Sequence, residues 1–268
     1  MATIIESIQQ RRSVRTYTGE PLSDEHIAQI EQFIRQTPVP FDGKARIEII
    51  RSQAGADAVK LGTYGWIKGA CDYLALIYEE APFAETAAAY WFEQTLLFCT
   101  GLGLGTCWLG GSFSRGDFKK QIRLKPNEKL RIVSPVGYAS EKKRWFLEGV
   151  VVNSEKNHAS RKPFGELFFY ENFTQALTES TAGIFAKPLA MLRLAPSANN
   201  TQEWRAVLEN QTVHFYKIPY LNFDSIDIGI ALCHFEQTCK ELNINGELRM
   251  LENYPLSDKA RYVISWIG

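Results

Sequence analysis

The chain carries a similar pattern in each of its halves, and this internal repeat constrains its fold more than any other feature. The five residues Trp91-Phe92-Glu93-Gln94-Thr95 return as His234-Phe235-Glu236-Gln237-Thr238, each in a predicted long helix that precedes a glycine. A helix–proline–strand pattern over Ile27–Ile50 returns over Ile184–Leu208. Two copies of one unit indicate a fused pseudo-dimer. We therefore predict two pseudo-symmetric halves, residues 1–155 and 156–268.

Composition and charge exclude several classes of function. The chain has 268 residues with 30 Lys+Arg and 30 Asp+Glu, so no global basic field favours nucleic acid or anionic lipid. Its five cysteines contain no C-x-x-C pair and no metal spacing, which is typical of a reduced compartment. We find no apolar signal core and no stretch long enough to span a membrane. We expect a cytoplasmic protein with no metal site and no nucleic-acid or membrane partner.

Hydrophobic periodicity predicts an α+β chain. Strands are expected at Ala45–Arg51, Tyr73–Tyr78, Arg131–Tyr138 and Arg261–Ile267, with a hairpin of Arg205–Glu209 and Thr212–Lys217. Helices are expected after Thr3 and Ser23, and at Ala54–Gly62, Thr86–Thr100, Phe173–Leu177, Ile184–Leu194 and Ile228–Leu242. The helix at Thr86–Thr100 is apolar on most faces, which predicts that it is buried.

An arginine cluster follows the first helix, at Arg11, Arg12 and Arg15 with Ser13 between them. Guanidinium groups and a hydroxyl are strong donors for a phosphate. Arginines in the last turn of a helix also complement its dipole, and charge runs are usually solvated faces. The cluster alone leaves both interpretations open.

Two further segments also allow two interpretations. The glycine-rich run Gly101–Gly111 follows a helix and does not fit G-x-G-x-x-G, so it is either a helix end with a tight turn or a place where backbone approaches a flat ligand. The segment Pro196–Trp204 is rich in small and amide residues. It is either a helix-ending turn or a set of groups that read the polar edge of a heterocycle.

The two halves hold different parts of this set. The first half has the arginine cluster but only Pro38–Asp42 where the second has Pro196–Asn200, and the second half has no R-x-S-x-R. This division predicts one composite ligand site to which both halves contribute.

These residues together resemble the nitroreductase-like flavoproteins, and more closely their single-chain, two-repeat members. Arg11–Ser23 is similar to the family's opening motif, Pro196–Trp204 to its second motif and Leu104–Gly111 to its third. Arg161-x-Pro163 with Glu166 resembles the basic segment that ends a one-repeat member. The resemblance covers nearly the whole chain and implies mostly antiparallel sheets flanked by helices.

The resemblance also implies one bound FMN. It places Arg11, Arg12, Ser13, Arg15 and Arg161 at the phosphate and the pyrimidine side of the ring. It places Pro196, Ser197, Ala198, Asn200 and Gln202 at the isoalloxazine and ribityl chain, and the backbone of Leu109, Gly110 and Gly111 at flavin N5. No catalytic acid or base is implied, and we interpret His26, His158, His214 and His234 as structural or surface residues.

The implied function is an FMN oxidoreductase that transfers hydride from NADH or NADPH to a small electron-poor acceptor, a nitroaromatic or a quinone. The fusion favours a monomer. Two positions depart from the family pattern: Glu203 stands where a proline is usual, and Ala159 where a lysine is common. They motivate the alternative, an FMN-binding protein with little turnover that acts as a carrier, sensor or degenerate enzyme.

Overall fold

The computed structural model describes residues 2–51, 61–140, 160–219 and 222–268. The chain divides into two compact units, Met1–Trp145 and Phe146–Gly268. Each unit combines helices with one mostly antiparallel sheet, so the predicted α+β class is confirmed. The boundary predicted at 155/156 lies outside the described residues and stays a prediction.

The described residues of the first unit form four helices and a four-stranded antiparallel sheet of order β1-β2-β4-β3. Its helices are α1 Ile4–Gln10, α2 Asp24–Gln36, α3 Ala84–Gly101 and α4 Arg115–Gln121. Its strands are β1 Ala45–Arg51, β2 Asp72–Glu79, β3 Gly105–Thr106 and β4 Glu128–Gly137. The helix predicted after Thr3 is confirmed and begins with a capping box: the Thr3 hydroxyl accepts from the Glu6 N–H, and the Glu6 carboxylate accepts from the Thr3 N–H.

The core of this unit includes the contacts of β2 with α3 and an apolar cluster in which Tyr73, Ala75 and Ile77 of β2 join Phe118 of α4. β2 is an interior strand and is buried along nearly its whole length, as its continuous apolar run predicts. The prediction of a buried helix at Thr86–Thr100 is confirmed, since α3 buries Phe92, Leu96 and Cys99 completely. A helix that is apolar on most faces can be stable only in such surroundings.

The second unit has a five-stranded sheet of order β5-β6-β7-β9-β8, parallel between β5 and β6 and antiparallel elsewhere. Its strands are β5 Phe168–Tyr170, β6 Trp204–Glu209, β7 Thr212–Lys217, β8 Glu247–Arg249 and β9 Arg261–Ile267. Its helices are α5 Phe164–Leu167, α6 Ala186–Arg193 and α7 Asp224–Glu241, with 3-10 turns at Gly183–Phe185 and Ala198–Asn200.

The two units repeat one arrangement of elements. The order β1-β2-β4-β3 in the first sheet corresponds to β6-β7-β9-β8 in the second. A helix of 18 residues precedes the third strand in chain order in both units: α3 comes before β3, and α7 comes before β8. The register also shifts at one corresponding place, between β2 and β4 in one sheet and between β7 and β9 in the other. These features support the internal repeat that the sequence predicts.

One predicted helix is wrong, and another cannot be assessed. Phe173–Leu177 is not helical. The Leu177 N–H donates to the Phe168 carbonyl, and the Gln175 carbonyl accepts from the Tyr170 N–H, so the segment folds back on β5. Its backbone groups are therefore used across the turn and not along a helix. The helix predicted at Ala54–Gly62 lies almost wholly outside the described residues.

The chain between α1 and α2 is extended and pairs with three other segments of the first unit. Ser13 forms a bridge with Thr106, Thr16 with Lys68, and Tyr17 with Ala139. The Val14 N–H donates to the Thr106 carbonyl at 2.8 Å. The predicted arginine cluster therefore lies on a strand-like segment held by backbone hydrogen bonds, and not in the last turn of a helix.

Three glycines allow the other segments to approach this one closely. A Cβ on Gly105 would lie 2.8 Å from the Val14 side chain, and one on Gly69 would lie 2.5 Å from the Tyr17 carbonyl oxygen. A Cβ on Gly137 would lie 3.3 Å from the Tyr17 ring. Such distances leave no room for a side chain at Gly105 or Gly69. Part of the glycine-rich run is thus explained by packing against the arginine segment.

We expect Gly105→Ala to lower the free energy of unfolding by about 1–3 kcal/mol, because the new methyl group must displace Val14. The measurement is urea denaturation followed by circular dichroism. Gly116→Ala is the matched control: a Cβ there meets nothing within 4 Å and the residue is in α4, so stability should stay equal or rise slightly. Equal losses in both variants would contradict the packing argument.

Candidate functional site

The side chain of Arg11, the first residue of the arginine cluster, is almost completely buried. Its backbone N–H ends α1 by donating to the Ser7 carbonyl, and its side chain is 5% exposed. The guanidinium Nε lies 3.8 Å from Glu93 Oε1, which is ion-pair distance but too long for a hydrogen bond. Within the described part of the chain, Nε and Nη1 have no hydrogen-bond acceptor. A buried guanidinium with two unbonded N–H groups is costly, and an anionic ligand would satisfy it.

The other residues of the cluster differ in exposure. Arg12 is exposed, whereas Ser13 and Arg15 are half-buried. Arg15 places Nη1 3.5 Å from the Ser13 carbonyl, and its own carbonyl accepts from the Lys68 N–H. The Thr106 hydroxyl, on the strand beside Ser13, is buried and makes no hydrogen bond among the described residues. The structure therefore brings the cluster together with one further hydroxyl that sequence reasoning missed.

Cys107 lies under the cluster and was also missed. Its thiol is buried, and Sγ donates to the Trp108 carbonyl at 3.8 Å. Burial raises the pKa of the Cys107 thiol, and this effect outweighs the lowering by Arg15, Ser13 and Arg11. The thiol therefore stays neutral near pH 7 and does not cancel the positive charge of the arginines.

The segment predicted to face flavin N5 is only partly available. The Leu109 N–H donates to the Val133 carbonyl at 2.9 Å, and the Leu109 carbonyl accepts from the Val133 N–H at 3.1 Å. Leu109 therefore has no spare N–H for a ligand, and its predicted role has no support from this geometry. Gly110 accepts a hydrogen bond from Arg115 through its carbonyl. Gly111 is exposed, and a Cβ there would meet nothing within 4 Å, so its backbone is open to a ligand.

In the second unit, Arg161 and Asn200 lie together. Arg161 donates from Nη1 to Asn200 Oδ1 at 3.1 Å and from Nη2 to the Leu194 carbonyl at 3.1 Å. Asn200 donates in return from Nδ2 to the Ser160 carbonyl. The structure therefore joins the predicted basic segment to the predicted amide motif within one half of the chain.

The amide motif is an irregular turn in which three residues have left-handed backbone. Asn199, Asn200 and Gln202 have φ values of 51, 58 and 53°. Ser197 accepts from the Gln202 N–H at 2.9 Å, and the buried Gln202 side chain accepts from the Lys162 N–H at 2.9 Å. These carboxamides thus support the turn itself. The first interpretation from the sequence is thus supported, since the segment follows the end of α6 and its Pro196, Ser197 and Ala198 are half-buried. The second, a set of groups that read a heterocycle, stays a prediction.

Asp227 holds this turn from the first turn of α7. Its side chain is buried, and its two carboxylate oxygens lie 3.2 and 3.0 Å from the Ala198 nitrogen, whose N–H donates to them. Burial raises the pKa of Asp227 to about 8, with further raising by Asp224 and Glu203 and some lowering by the Ala198 N–H. Sequence reasoning missed Asp227, since an acidic residue in a first helical turn is ordinary.

Glu203 and the histidines have partners within the protein. The Glu203 carboxylate lies 3.9 Å from Lys162 Nζ, while Ala159 and His158 lie outside the described residues. His26 hydrogen-bonds with Tyr138, His214 with Ser265, and His234 with the Met191 carbonyl. These contacts agree with the interpretation that the three described histidines are structural.

Asp227→Asn should change stability in a pH-dependent way. The folded pKa of about 8 exceeds the ordinary value of 3.8, so the unfolded state loses its proton first and Asp227 lowers stability increasingly as pH rises between these values. Asparagine keeps an oxygen for the Ala198 N–H. We expect the variant to equal the wild type near pH 4 and to exceed it by about 2–5 kcal/mol at pH 8.5.

The measurement is chemical denaturation from pH 4 to 8.5. Asp258→Asn makes the same change at an exposed position, so its difference from the wild type should stay within about 0.5 kcal/mol at every pH. A stability difference for Asp227→Asn that does not vary with pH would contradict the account.

Two classes of site are not seen in the described ranges. No helix there is both long and apolar enough to cross a membrane. No group of three or more His, Cys, Asp or Glu side chains is placed there to hold a metal ion. All five cysteines are free thiols.

Comparisons with known proteins identify the family. The model of a family described as "Putative TM nitroreductase" matches residues 3–239. A solved "putative nitroreductase" from Thermotoga maritima MSB8 is 21% identical with a TM-score of 0.62, over 99% of this chain and 94% of that one. This structure shows the same fold. No curated protein sequence matches the chain.

Shorter solved structures match part of the chain. A nitroreductase family protein from Clostridium difficile 630 is 18% identical with a TM-score of 0.45, over 62% of this chain and 96% of that one. An FMN-dependent nitroreductase from Clostridium difficile R20291 is 17% identical with a TM-score of 0.41, over 52% of this chain and 90% of that one. The family model's match over residues 3–239 confirms the resemblance seen in the sequence, and the chain belongs to this nitroreductase family.

Proposed function

We propose that the chain is an FMN-dependent oxidoreductase that transfers hydride from NADH or NADPH to a small electron-poor acceptor of the nitroaromatic or quinone type. Membership of a nitroreductase family supports the oxidoreductase class. The observation that carries the FMN proposal is the buried Arg11 guanidinium, whose Nε and Nη1 have no acceptor among the described residues.

The donor set around Arg11 fits the anionic groups of FMN. Guanidinium N–H groups and hydroxyls form short, charge-assisted hydrogen bonds with phosphate oxygens. Ser13 and Arg15 follow Arg11 on one extended segment, and the unbonded Thr106 hydroxyl lies on the neighbouring strand. Burial raises the pKa of the nearby Cys107 thiol, so the thiol is neutral and does not cancel the positive charge of the arginines.

The bound flavin would supply hydride transfer at its N5 atom. Arginines near the N1–C2=O edge would favour reduction, because they stabilise the negative charge that develops there. Among the backbone groups assigned to N5, we propose Gly110 and Gly111 as the contacting ones, since the Leu109 N–H is already used. No side-chain acid or base is required by this proposal.

The second half contributes the remaining residues of the proposed site. We assign Arg161, Pro196, Ser197, Ala198, Asn200 and Gln202 to the flavin, as the family resemblance implies. Their mutual hydrogen bonds support a preorganised turn, which would limit the entropy lost on binding. Since each half holds a different set of motifs, we propose that both sets serve one FMN per chain.

A second candidate is an FMN-binding protein with little turnover. Glu203 favours it: its carboxylate is mostly buried beside the amide motif, and a negative charge near a flavin disfavours the reduced form. The two candidates differ in one observable. Rapid anaerobic bleaching of bound flavin by NADH or NADPH would exclude the second.

Arg11→Ala combined with Arg15→Ala should weaken FMN binding about a hundredfold or more, because two charge-assisted contacts are lost. The measurement is fluorescence titration of FMN with the purified protein. Arg35→Ala removes an exposed arginine that pairs with Glu31 on α2, and it should leave the affinity unchanged.

Circular dichroism must show that the double variant is folded, since Arg11 also pairs with Glu93. Should it unfold, Arg12→Ala tests the cluster at an exposed position and should weaken binding by about five- to tenfold. Unchanged FMN affinity in a folded variant would show that the site assignment is wrong.

A further inference from the structure

Glu93 is a carboxylate in the core of the first unit. It lies in the middle of α3, and its side chain is completely buried. Its helix neighbours Phe92, Leu96 and Leu97 are fully buried hydrophobic residues. A buried carboxylate is strongly unfavourable unless other groups pair with it.

The Glu93 carboxylate joins two segments of the proposed site. The Trp108 indole N–H donates to Oε2 at 2.6 Å, and Arg11 Nε lies 3.8 Å from Oε1. Trp108 lies two residues before Gly110 and Gly111, which we assign to the flavin ring, and Arg11 begins the arginine cluster. One carboxylate therefore contacts both the first arginine of the cluster and the tryptophan just before the two glycines.

The repeat provides an internal comparison. The residue of the second half that matches Glu93 in the repeated pattern is Glu236. Glu236 pairs with Lys240 one turn along the same helix, at 3.0 Å. The half that lacks the R-x-S-x-R motif thus has, at this position, a half-buried carboxylate that pairs with an exposed lysine of its own helix. The half with the motif has a fully buried carboxylate directed at its first arginine.

We propose that Glu93 is a positioning residue for the flavin site: it is the fixed counter-charge that keeps the Arg11 guanidinium buried, and its negative charge sets the preference for oxidised over reduced flavin. This inference rests on the proposed function and adds to it a residue that the family resemblance did not assign.

The direction of the effect follows from electrostatics. Reduced flavin carries a negative charge near N1–C2=O, which Arg11 would stabilise and Glu93 would oppose. Because Trp108, two residues before Gly110, donates to Glu93, the carboxylate is coupled to the segment that we assign to the ring. Because Glu93 is buried, the effective dielectric constant around it is low, and its charge shifts the energy of a charge several ångströms away. Glu93 should therefore bring the flavin potential below the value that the arginines alone would give.

The test compares Glu93→Gln with the wild type. Glutamine keeps an oxygen for the Trp108 N–H and removes the charge. Dissociation constants are measured for oxidised FMN and, anaerobically, for dithionite-reduced FMN. We expect the ratio of the oxidised to the reduced constant to rise about tenfold. Glu236→Gln makes the same change in the second half and should alter this ratio by less than about twofold.

A second measurement uses the protein without FMN and addresses the Arg11–Glu93 pair directly. Arg11→Gln, Glu93→Gln and the double variant are compared by thermal unfolding. We expect the double variant to melt at a higher temperature than additive single effects predict, since each single change removes the counter-charge of the other buried group. Additive effects, or an unchanged ratio of dissociation constants in folded Glu93→Gln, would overturn the proposal. A wild type that binds no FMN would instead refute the proposed function.

Discussion

The structure of the first unit depends on how closely its arginine segment packs against three glycines. Gly69 and Gly105 have no room for a side chain because the backbone of Tyr17 and the side chain of Val14 lie against them. Backbone hydrogen bonds to Thr106 and Lys68 then fix the segment in an extended form. The rest of the candidate site in this unit follows from that placement. Arg11 reaches the buried Glu93, Ser13 lies beside the Cys107 thiol, and a basic stretch that would otherwise be a solvated helix end becomes a fixed set of donors.

The two units show how one arrangement of elements can diverge. In both units four strands have the same order in the sheet, and an 18-residue helix precedes β3 in one unit and β8 in the other. The two helices also share a side-chain hydrogen bond: the hydroxyls of Thr95 and Thr238 each donate to the carbonyl four residues earlier. The chemistry differs between the copies. The first keeps a buried carboxylate and an arginine segment, whereas the second keeps an amide-rich turn held by Asp227. If the two halves contribute different groups to one ligand, they need different side chains on the same fold, and this is the pattern found.

The sequence predicted most elements whose cause is local. The strand Ala45–Arg51 and the hairpin around Asn210 follow from alternation and turn residues, and the structure has both. Phe173–Leu177 was predicted wrongly because its backbone bonds across a turn to β5, which a periodic pattern does not reveal. The parts of the site that were missed are contacts between distant residues. Nothing near Glu93 or Asp227 in the chain indicates that one meets Trp108 and the other the Ala198 N–H. The family resemblance implies that the Leu109 backbone faces a ligand, and only the bridge to Val133 shows that its N–H is already used.

The central claim is that one flavin is bound by groups which the sequence divides between the two halves. The most direct test is a visible absorption spectrum of the purified full chain during titration with FMN, with the stoichiometry read at the flavin bands. The account predicts saturation at one FMN per chain and a perturbed flavin spectrum on binding. A protein that stays colourless after excess FMN is removed would contradict it, and the arginine segment would then be a structural strand without a cofactor. Saturation at two FMN per chain would contradict the division of one site between the halves.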